Sequence, residues 1–488
     1  MQKTAGIAAG RAAAAVRAPR PFLIYFFGAL GGILFGYETG IIAGALSYIY
    51  ETPGFEQTAF TTGMIVGGIS LGAVFGAVAA GRLSDRIGRR KVILILGVIF
   101  IVGSLVCAAV PNNGTLIAGR IFLGLGVGGS SALVPVYLSE MAPAKTRGRL
   151  AGLNQLMIVT GLLLGYCVNF LLADSGNWRL MLASGALPAI LLVVGLPFLP
   201  ESPRWLFAHG RRDEAAALLR ATRSEAESKT DLTAMENVDR KPSKRELLAP
   251  WVRPAIIVGV GIPILCQATG LNMVTYYAPT IFESLSLPHE NALIFTMILG
   301  TVKVISVIIG LQFIDRVGRK TLLVGGSACM AVSMAWMAFE ASKSAEINPL
   351  SMLLAMSVMF VSYSLTWGPV NWVVLGEIFP LRIRGAAMGM ASMVTWFATL
   401  AITFGFPLMR DGLGLAQTMV VFVVCNIIGF LFCLFFVRET KGKSLEEIEE
   451  DLVVPYEART GSTVDRALVA DEAGDSSGGS RAATVKGV

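Results

Sequence analysis

The chain has 488 residues, of which 54% are hydrophobic and only 15% charged; a soluble domain carries about 25% charged residues, so a water-soluble enzyme or binding module is excluded. The formal net charge is +7, but the lysines and arginines gather in alternate loops (82–91, 145–149, 204–245, 316–320 and 382–384), while the loops near 47–57, 111–114 and 284–290 have none. That asymmetry is the positive-inside pattern of a membrane protein, and it removes nucleic acid as the meaning of the basic balance.

Residues 1–21 are basic and Ala-rich without an apolar core of their own, and read as a cytoplasmic arm rather than a cleavable signal peptide. Twelve apolar runs follow, near 22–46, 58–80, 92–110, 115–138, 150–172, 178–199, 253–280, 291–314, 321–340, 349–374, 387–408 and 415–437. Each is long enough to cross a bilayer core of about 30 Å at about 1.5 Å per helical residue. The chain is therefore expected to be an all-α membrane protein of twelve transmembrane helices, with both termini and the long central loop in the cytoplasm.

The first run holds one charge, Glu38, between Pro21 and Tyr50. Gly28, Gly32, Gly36, Gly40 and Gly44 recur every four residues, a stripe of small residues that lets two helices approach closely. At about 100° per residue, position 38 lies opposite that stripe, so Glu38 is expected to face the aqueous cavity. The fourth run repeats the style with Arg120, Gly124 and Gly128. A charge in mid-bilayer costs at least ~2.5–3.5 kcal/mol, so Glu38 and Arg120 are natural partners. Desolvation and a neighbouring guanidinium act in opposite senses on a carboxyl's proton affinity, which suits a group that changes protonation as its surroundings turn wet and dry. Purely structural pairing with Arg120 remains the other reading.

Glycines also form "GLGVGG" at 124–129, but inside an apolar helix rather than after a strand, so helix packing explains them better than phosphate binding. "NGT" at 113–115 fits a glycosylation acceptor in an outward loop. Gln155 stands in the fifth run. The stretch 200–250 is the longest internal polar segment, with a helix expected near Asp213–Leu219. In the second half the seventh run carries Cys266, Gln267, Asn272, Tyr276 and Tyr277, the eighth Lys303, the tenth Trp372, and the eleventh Thr395 and Trp396. Amides that donate and accept, framed by aromatic rings, suit a sugar, with Phe35, Tyr276, Tyr277 and Trp396 as walls; a lone buried amide more often joins two helices. Lys303 lies twelve residues before Asp315, or ~18 Å along a helix, too far to reach the interface. It therefore pairs with a carboxylate or carbonyl, hydrogen-bonds a neutral polyol, or serves as counter-ion for an acidic substrate.

The six cysteines lie inside or at the edges of the apolar runs and read as packing residues, not disulfides. His209 and His289 lack metal-ligand spacing. After Glu450 the tail turns rich in Gly, Ser and Asp and is expected to be disordered.

The halves repeat each other. "SDRIGRR" at 84–90 returns as "IDRVGRK" at 314–320; Glu140 precedes Arg147 by the same seven residues that separate Glu377 from Arg384; "PESPRW" at 200–205 is matched by "RETKGK" at 438–443. A parallel repeat of six-helix halves is the build of a rocking transporter with its site between the halves. The expected organisation is a 1–21 arm, a 22–199 bundle, a 200–250 connector with short helices, a 251–437 bundle and a 438–488 tail. Asp85, Arg86, Arg89, Arg90, Glu140, Arg147, Glu201 and Arg204, with Asp315, Arg316, Arg319, Glu377, Arg384 and Glu439, fall at the cytoplasmic helix ends. They read as a network that locks the halves while the cavity faces outward, against the alternative of ordinary solvated loops.

"GRLSDRIGRRK", "PVYLSEMAPAKTRGRL", "PESPRWL", "QATGLN", "WGPVNW" and "ETKGKSLEEIE", in this order across about residues 22–450, resemble the sugar porter family of the major facilitator superfamily. The resemblance implies two pseudo-symmetric six-helix bundles and alternating access. It also implies proton-coupled symport of a monosaccharide or cyclitol across the plasma membrane by a monomer, with no cofactor besides the proton as coupling ion. At the position of Glu38 the family's symporters have a coupling Asp. Gln155, Gln267, Asn272 and Trp372 match its sugar contacts. Departures are Cys266 in place of the first Gln of a "QQ" pair, Thr395 where an amide is common, Lys303 where an Asn usually contacts sugar, and Arg438 in place of Pro, which would let the last helix run on. An uncoupled facilitator or a carrier of an acidic sugar derivative is the alternative, and a non-transporting sensor the third reading.

Overall fold

The computed structural model describes residues 21–143, 147–236, 249–312, 314–343, 348–380 and 383–460. It contains twelve spans: α1 (Pro21–Tyr50), α2 (Ala59–Ile87), α3 (Arg89–Ala109), α4 (Asn113–Met141), α5 (Arg147–Leu171), α6 (Trp178–Phe198), α7 (Pro250–Ser284), α8 (His289–Gly310), α9 (Arg319–Ser342), α10 (Pro349–Ile378), α11 (Arg384–Leu413) and α12 (Leu415–Phe436). They form two pseudo-symmetric six-helix bundles of the major facilitator fold. Both ends of the described chain lie at the basic end of the bundle; the opposite end carries the short loops at 51–58, 110–112, 172–177 and 285–288.

Four of the six spans that start at that opposite end are capped by a side chain. Thr58, Asn112, Asn177 and Asn348 accept from the N–H groups of Thr61, Thr115, Leu180 and Leu350, satisfying donors that the first turn leaves open. α3, α6, α9 and α12 turn large apolar side chains outward, among them Val98, Leu187, Phe339 and Phe435, as lipid-facing helices do.

The glycine stripe packs α1 on α5. A Cβ on Gly36 would collide with the Ile158 carbonyl, and one on Gly40 with that of Leu162. Arg120, Gly124 and Gly128 likewise face α2, with a Cβ on Gly128 meeting Ala73. Close backbone approach replaces the hydrophobic drive that lipid cannot supply.

Three sequence expectations change. α7 and α10 are not continuous: α7 breaks at Thr269–Gly270, where Gly270 takes a left-handed φ of 86°, and α10 breaks at Thr366. α12 stops at Phe436 despite Arg438, because Val437 turns extended and Glu439 is held elsewhere. The tail beyond Glu450 stays helical to Thr460; residues 461–488 and 1–20 lie outside the described residues. Between the halves run helices Pro203–Ala208, Arg212–Thr222 and Glu225–Glu236.

Gly36→Val is expected to lower thermal stability in detergent by about 1–3 kcal/mol, the usual range for overpacking. Gly389→Ala, where an added Cβ meets nothing within 4 Å, is expected to be neutral in the same melting measurement.

Candidate functional site

The halves touch along α1 with the second segment of α7, α2 with α11, and α5 with α8. Their polar contacts lie toward the end away from the basic loops. Ser47 Oγ donates to Glu283 Oε2 at 2.8 Å, Thr39 and Tyr276 hydroxyls lie 3.3 Å apart, and Tyr277 donates to the Thr403 carbonyl at 2.8 Å. Tyr166 on α5 donates to the Thr275 carbonyl at 2.7 Å. His289 pairs with Glu283 and lies edge-on to Tyr48, 4.4 Å between ring centroids. The halves are thus tied together by polar contacts at this end, while α5 and α8 also meet nearer the basic end, where Gly152 packs on Leu311.

Among the described residues, charge pairs at the basic end form two clusters, one in each half. In the first half Arg89 pairs with Glu140 and Asp85, both at 3.1 Å, while Glu201 accepts the N–H groups of Arg89 at 2.8 Å and Arg90 at 3.3 Å. In the second, Arg319 pairs with Glu377 at 3.1 Å, Thr440 donates to Glu377 at 2.6 Å, and Glu439 accepts the N–H groups of Arg319 at 2.8 Å and Lys320 at 3.0 Å. Each glutamate therefore caps a helix N-terminus, where exposed N–H groups and the helix dipole favour an anion. Gly88 and Gly318, at φ of 102° and 107°, make the turn, and a Cβ on either would meet that carboxylate. Burial opposes ionisation of Glu439, but the N–H groups of Lys441, Arg319, Lys320 and Thr440 outweigh it and hold its carboxyl below the usual carboxylate range. Arg86 and Arg204 stand exposed, Arg384 donates to the Phe379 carbonyl, and the side chains of Arg147 and Asp315 lie outside the described residues.

Glu38 meets its expected partner, Arg120, but away from the expected cavity face. It is 2% exposed, inside the first half, in an ion pair with Arg120, which is fully buried. Arg120 Nε also donates to the Ile65 carbonyl at 2.8 Å, and Gly185 of α6 lies against the far carboxylate oxygen. The helical angle correctly separates Glu38 from the glycine stripe. The direction it then takes is toward α4 and α6 rather than toward water, because a bundle surrounds α1 on more than one side.

The expected substrate residues divide. Gln155, Phe35, Gln267 and Asn272 are half-buried and Trp372 is 42% exposed. Asn272 Nδ2 donates to Gln267 Oε1 at 2.7 Å across the break in α7. Cys266 is buried, its sulfur 3.3 Å from the Tyr363 hydroxyl; Trp396 is buried edge-on to Phe35, with centroids 5.4 Å apart; Thr395 bonds its own helix; Tyr276 and Tyr277 make the closing contacts above. In this state those side chains hold the structure shut or together. Lys303 is 8% exposed, its Nζ 3.4 Å from Thr275 Oγ1 and 5.0 Å from the centre of the Phe360 ring. Asn113 at the "NGT" site sits in the first turn of α4, donating to the Glu56 carbonyl at 2.8 Å.

Sequence reasoning overlooked Asn426, whose amide reaches the Thr269 carbonyl freed by the break in α7, at 3.0 Å. It also overlooked Trp367, which anchors the broken α10 to α9 through Leu323 and Ser327. Asn426 carries the signal that singled out Glu38, a polar group deep in an apolar run.

A family model described as sugar (and other) transporter matches residues 24–452. The chain is similar to the probable metabolite transport protein CsbC of Bacillus subtilis, 45% identical over 439 residues that cover 89% of this chain and 95% of the relative. It is also similar to the glucose transporter GlcP of Staphylococcus epidermidis, 38% identical over 446 residues, covering 90% and 99%. Among solved structures it resembles the inward open conformation of the xylose transporter XylE from E. coli, with a TM-score of 0.77 and 30% identity, covering 88% of this chain and 99% of that one. A complex of the same proton:xylose symporter with 6-bromo-6-deoxy-D-glucose gives a TM-score of 0.76 at 31% identity, with the same coverage.

The lowered Glu439 carboxyl contributes stability that is present above the ordinary carboxylate range and lost as pH falls through its folded value. Glu439→Gln is expected to melt below the wild type at neutral pH, with the two curves converging in acid.

Proposed function

The chain belongs to the sugar transporter family of the major facilitator superfamily, which makes it a multi-pass membrane transporter rather than an enzyme, and from that premise we propose that it couples inward movement of a small polyhydroxylated substrate to a proton. The observation that carries this reading is the Glu38–Arg120 pair, an ionisable couple sealed in the middle of the first half. A buried ion pair adds little net stability over apolar packing, so its use lies elsewhere. Support comes from XylE, which is described as a proton:xylose symporter.

The coupling follows from connectivity. Thr39, the residue after Glu38, holds Tyr276 of the second half, so the acid lies one residue from a contact that closes the bundle. With the space open to the far side, a proton entering Glu38 neutralises it and frees Arg120 to relax. The sugar then binds through Gln155, Gln267, Asn272 and Trp372, the far-end contacts form, and the halves rock. Release at the basic end returns Glu38 to Arg120, the arrangement seen here. On the positive-inside rule the basic end is the cytoplasmic face of the plasma membrane, and the first described helix begins and the last ends on that side. Proton and substrate are linked because both bind one alternating structure. Within this reading the two basic-end clusters meet only when the space faces outward, and their charge pairs then set the balance between states.

In proteoliposomes, Glu38→Gln is expected to abolish accumulation of substrate driven by a pH gradient while exchange of labelled for unlabelled substrate persists. Accumulation at the wild-type level in the variant would refute the coupling role.

A further inference from the structure

We propose that Lys303 makes the site select for a sugar or polyol bearing a carboxylate, with the substrate's own anion serving as the lysine's counter-ion. The inference rests on reading the space between the halves as a transport site.

The deep charge of the first half is neutralised within the protein: Arg120 meets Glu38. The second half offers no such arrangement. Among the described residues no carboxylate lies within ion-pair distance of Lys303. Its Nζ has a hydroxyl at 3.4 Å, from Thr275, and the face of Phe360. Thr275 already donates to the Leu271 carbonyl at 2.9 Å, so its oxygen is left to accept from the ammonium. One long hydrogen bond and one ring face replace only part of the water an ammonium loses on burial. A permanent protein carboxylate would remove that deficit; a visiting one removes it only while bound, and binding is what a transport site does.

The position fits. On the second segment of α7, Thr275 lies three residues beyond Asn272, on the same helix face. Its carbonyl takes the Tyr166 hydroxyl, and Tyr166 packs on Gly300, three residues before Lys303 on α8. Lys303 therefore stands where α5, α7, α8 and α10 converge, at the end of the strip that begins with Gln267 and Asn272. The amides read hydroxyls; the ammonium supplies a point charge for a carboxylate at one end of the ligand. A neutral sugar leaves that charge uncompensated, so binding favours the acid over its neutral isostere.

The test uses the full-length protein in proteoliposomes, with D-glucuronate and D-glucuronamide, the uncharged isostere, as competing probes, and D-gluconate and D-glucose as labelled substrates. Wild type is expected to be inhibited by glucuronate at concentrations at least about 10-fold below glucuronamide. In Lys303→Asn the ratio of gluconate to glucose uptake falls by roughly 30-fold or more, as loss of one partner of a buried charge pair implies, and Lys303→Arg retains most of it. The ratio is internal to each preparation, and the isostere comparison needs no variant, so poor folding of Lys303→Asn does not decide the result. Glucose uptake with equal or weaker inhibition by glucuronate overturns the selectivity and leaves the transport reading standing. An acid-to-neutral ratio unchanged by Lys303→Asn overturns it as well. Uptake of neither class, with no inhibition, overturns both.

Discussion

In a bilayer every backbone N–H and C=O must be satisfied by the protein itself, and the structure is ordered by that constraint. Twelve unbroken helices would meet it most simply. Three spans are interrupted, α6 at Gly185, α7 at Thr269–Gly270 and α10 at Thr366, and in the last two other side chains take over: Asn426 reaches the Thr269 carbonyl, and Trp367 ties the turn of α10 to Leu323 and Ser327. The two breaks that take distant side-chain partners, in α7 and α10, fall in the second half. The first half keeps α1 and α4 whole and presses α1 onto α5 through glycine. Irregular chain is tolerated at membrane depth where protein groups satisfy it, as they do at the breaks in α7 and α10.

The duplication survives best where the physics is local. Glu201 and Glu439 each place a carboxylate on the N-terminus of the helix that follows a left-handed glycine, with an Arg–Glu pair beside it. The arrangement needs only a tight turn, two open N–H groups and an anion.

The deep charges, by contrast, differ between halves. The first half encloses a matched pair, Glu38 with Arg120, whereas the second holds a lysine set against a hydroxyl and a ring. A matched pair suits a group that exchanges a proton; an unmatched cation suits one that waits for an anion. Tyr276, whose hydroxyl lies 3.3 Å from that of Thr39, links the second half to the residue next to Glu38.

Span number, bundle halves and the residues that carry charge into the membrane were legible in the sequence, because hydropathy, repetition and the cost of a buried charge are properties of composition along one chain. The glycine stripe on α1 was legible for the same reason, since a four-residue spacing already defines a helix face. The pairing of Glu38 with Arg120 was expected from the cost of two deep charges; what the helical angle did not determine was the pair's surroundings, and tertiary packing placed it in a dry interior rather than at water. The breaks in α7 and α10, the split of the basic-end charges into two clusters, and the contrast between Lys303 and Arg120 were likewise settled by packing. Each depends on which distant side chain arrives within 3–4 Å, and a one-dimensional pattern does not encode that distance.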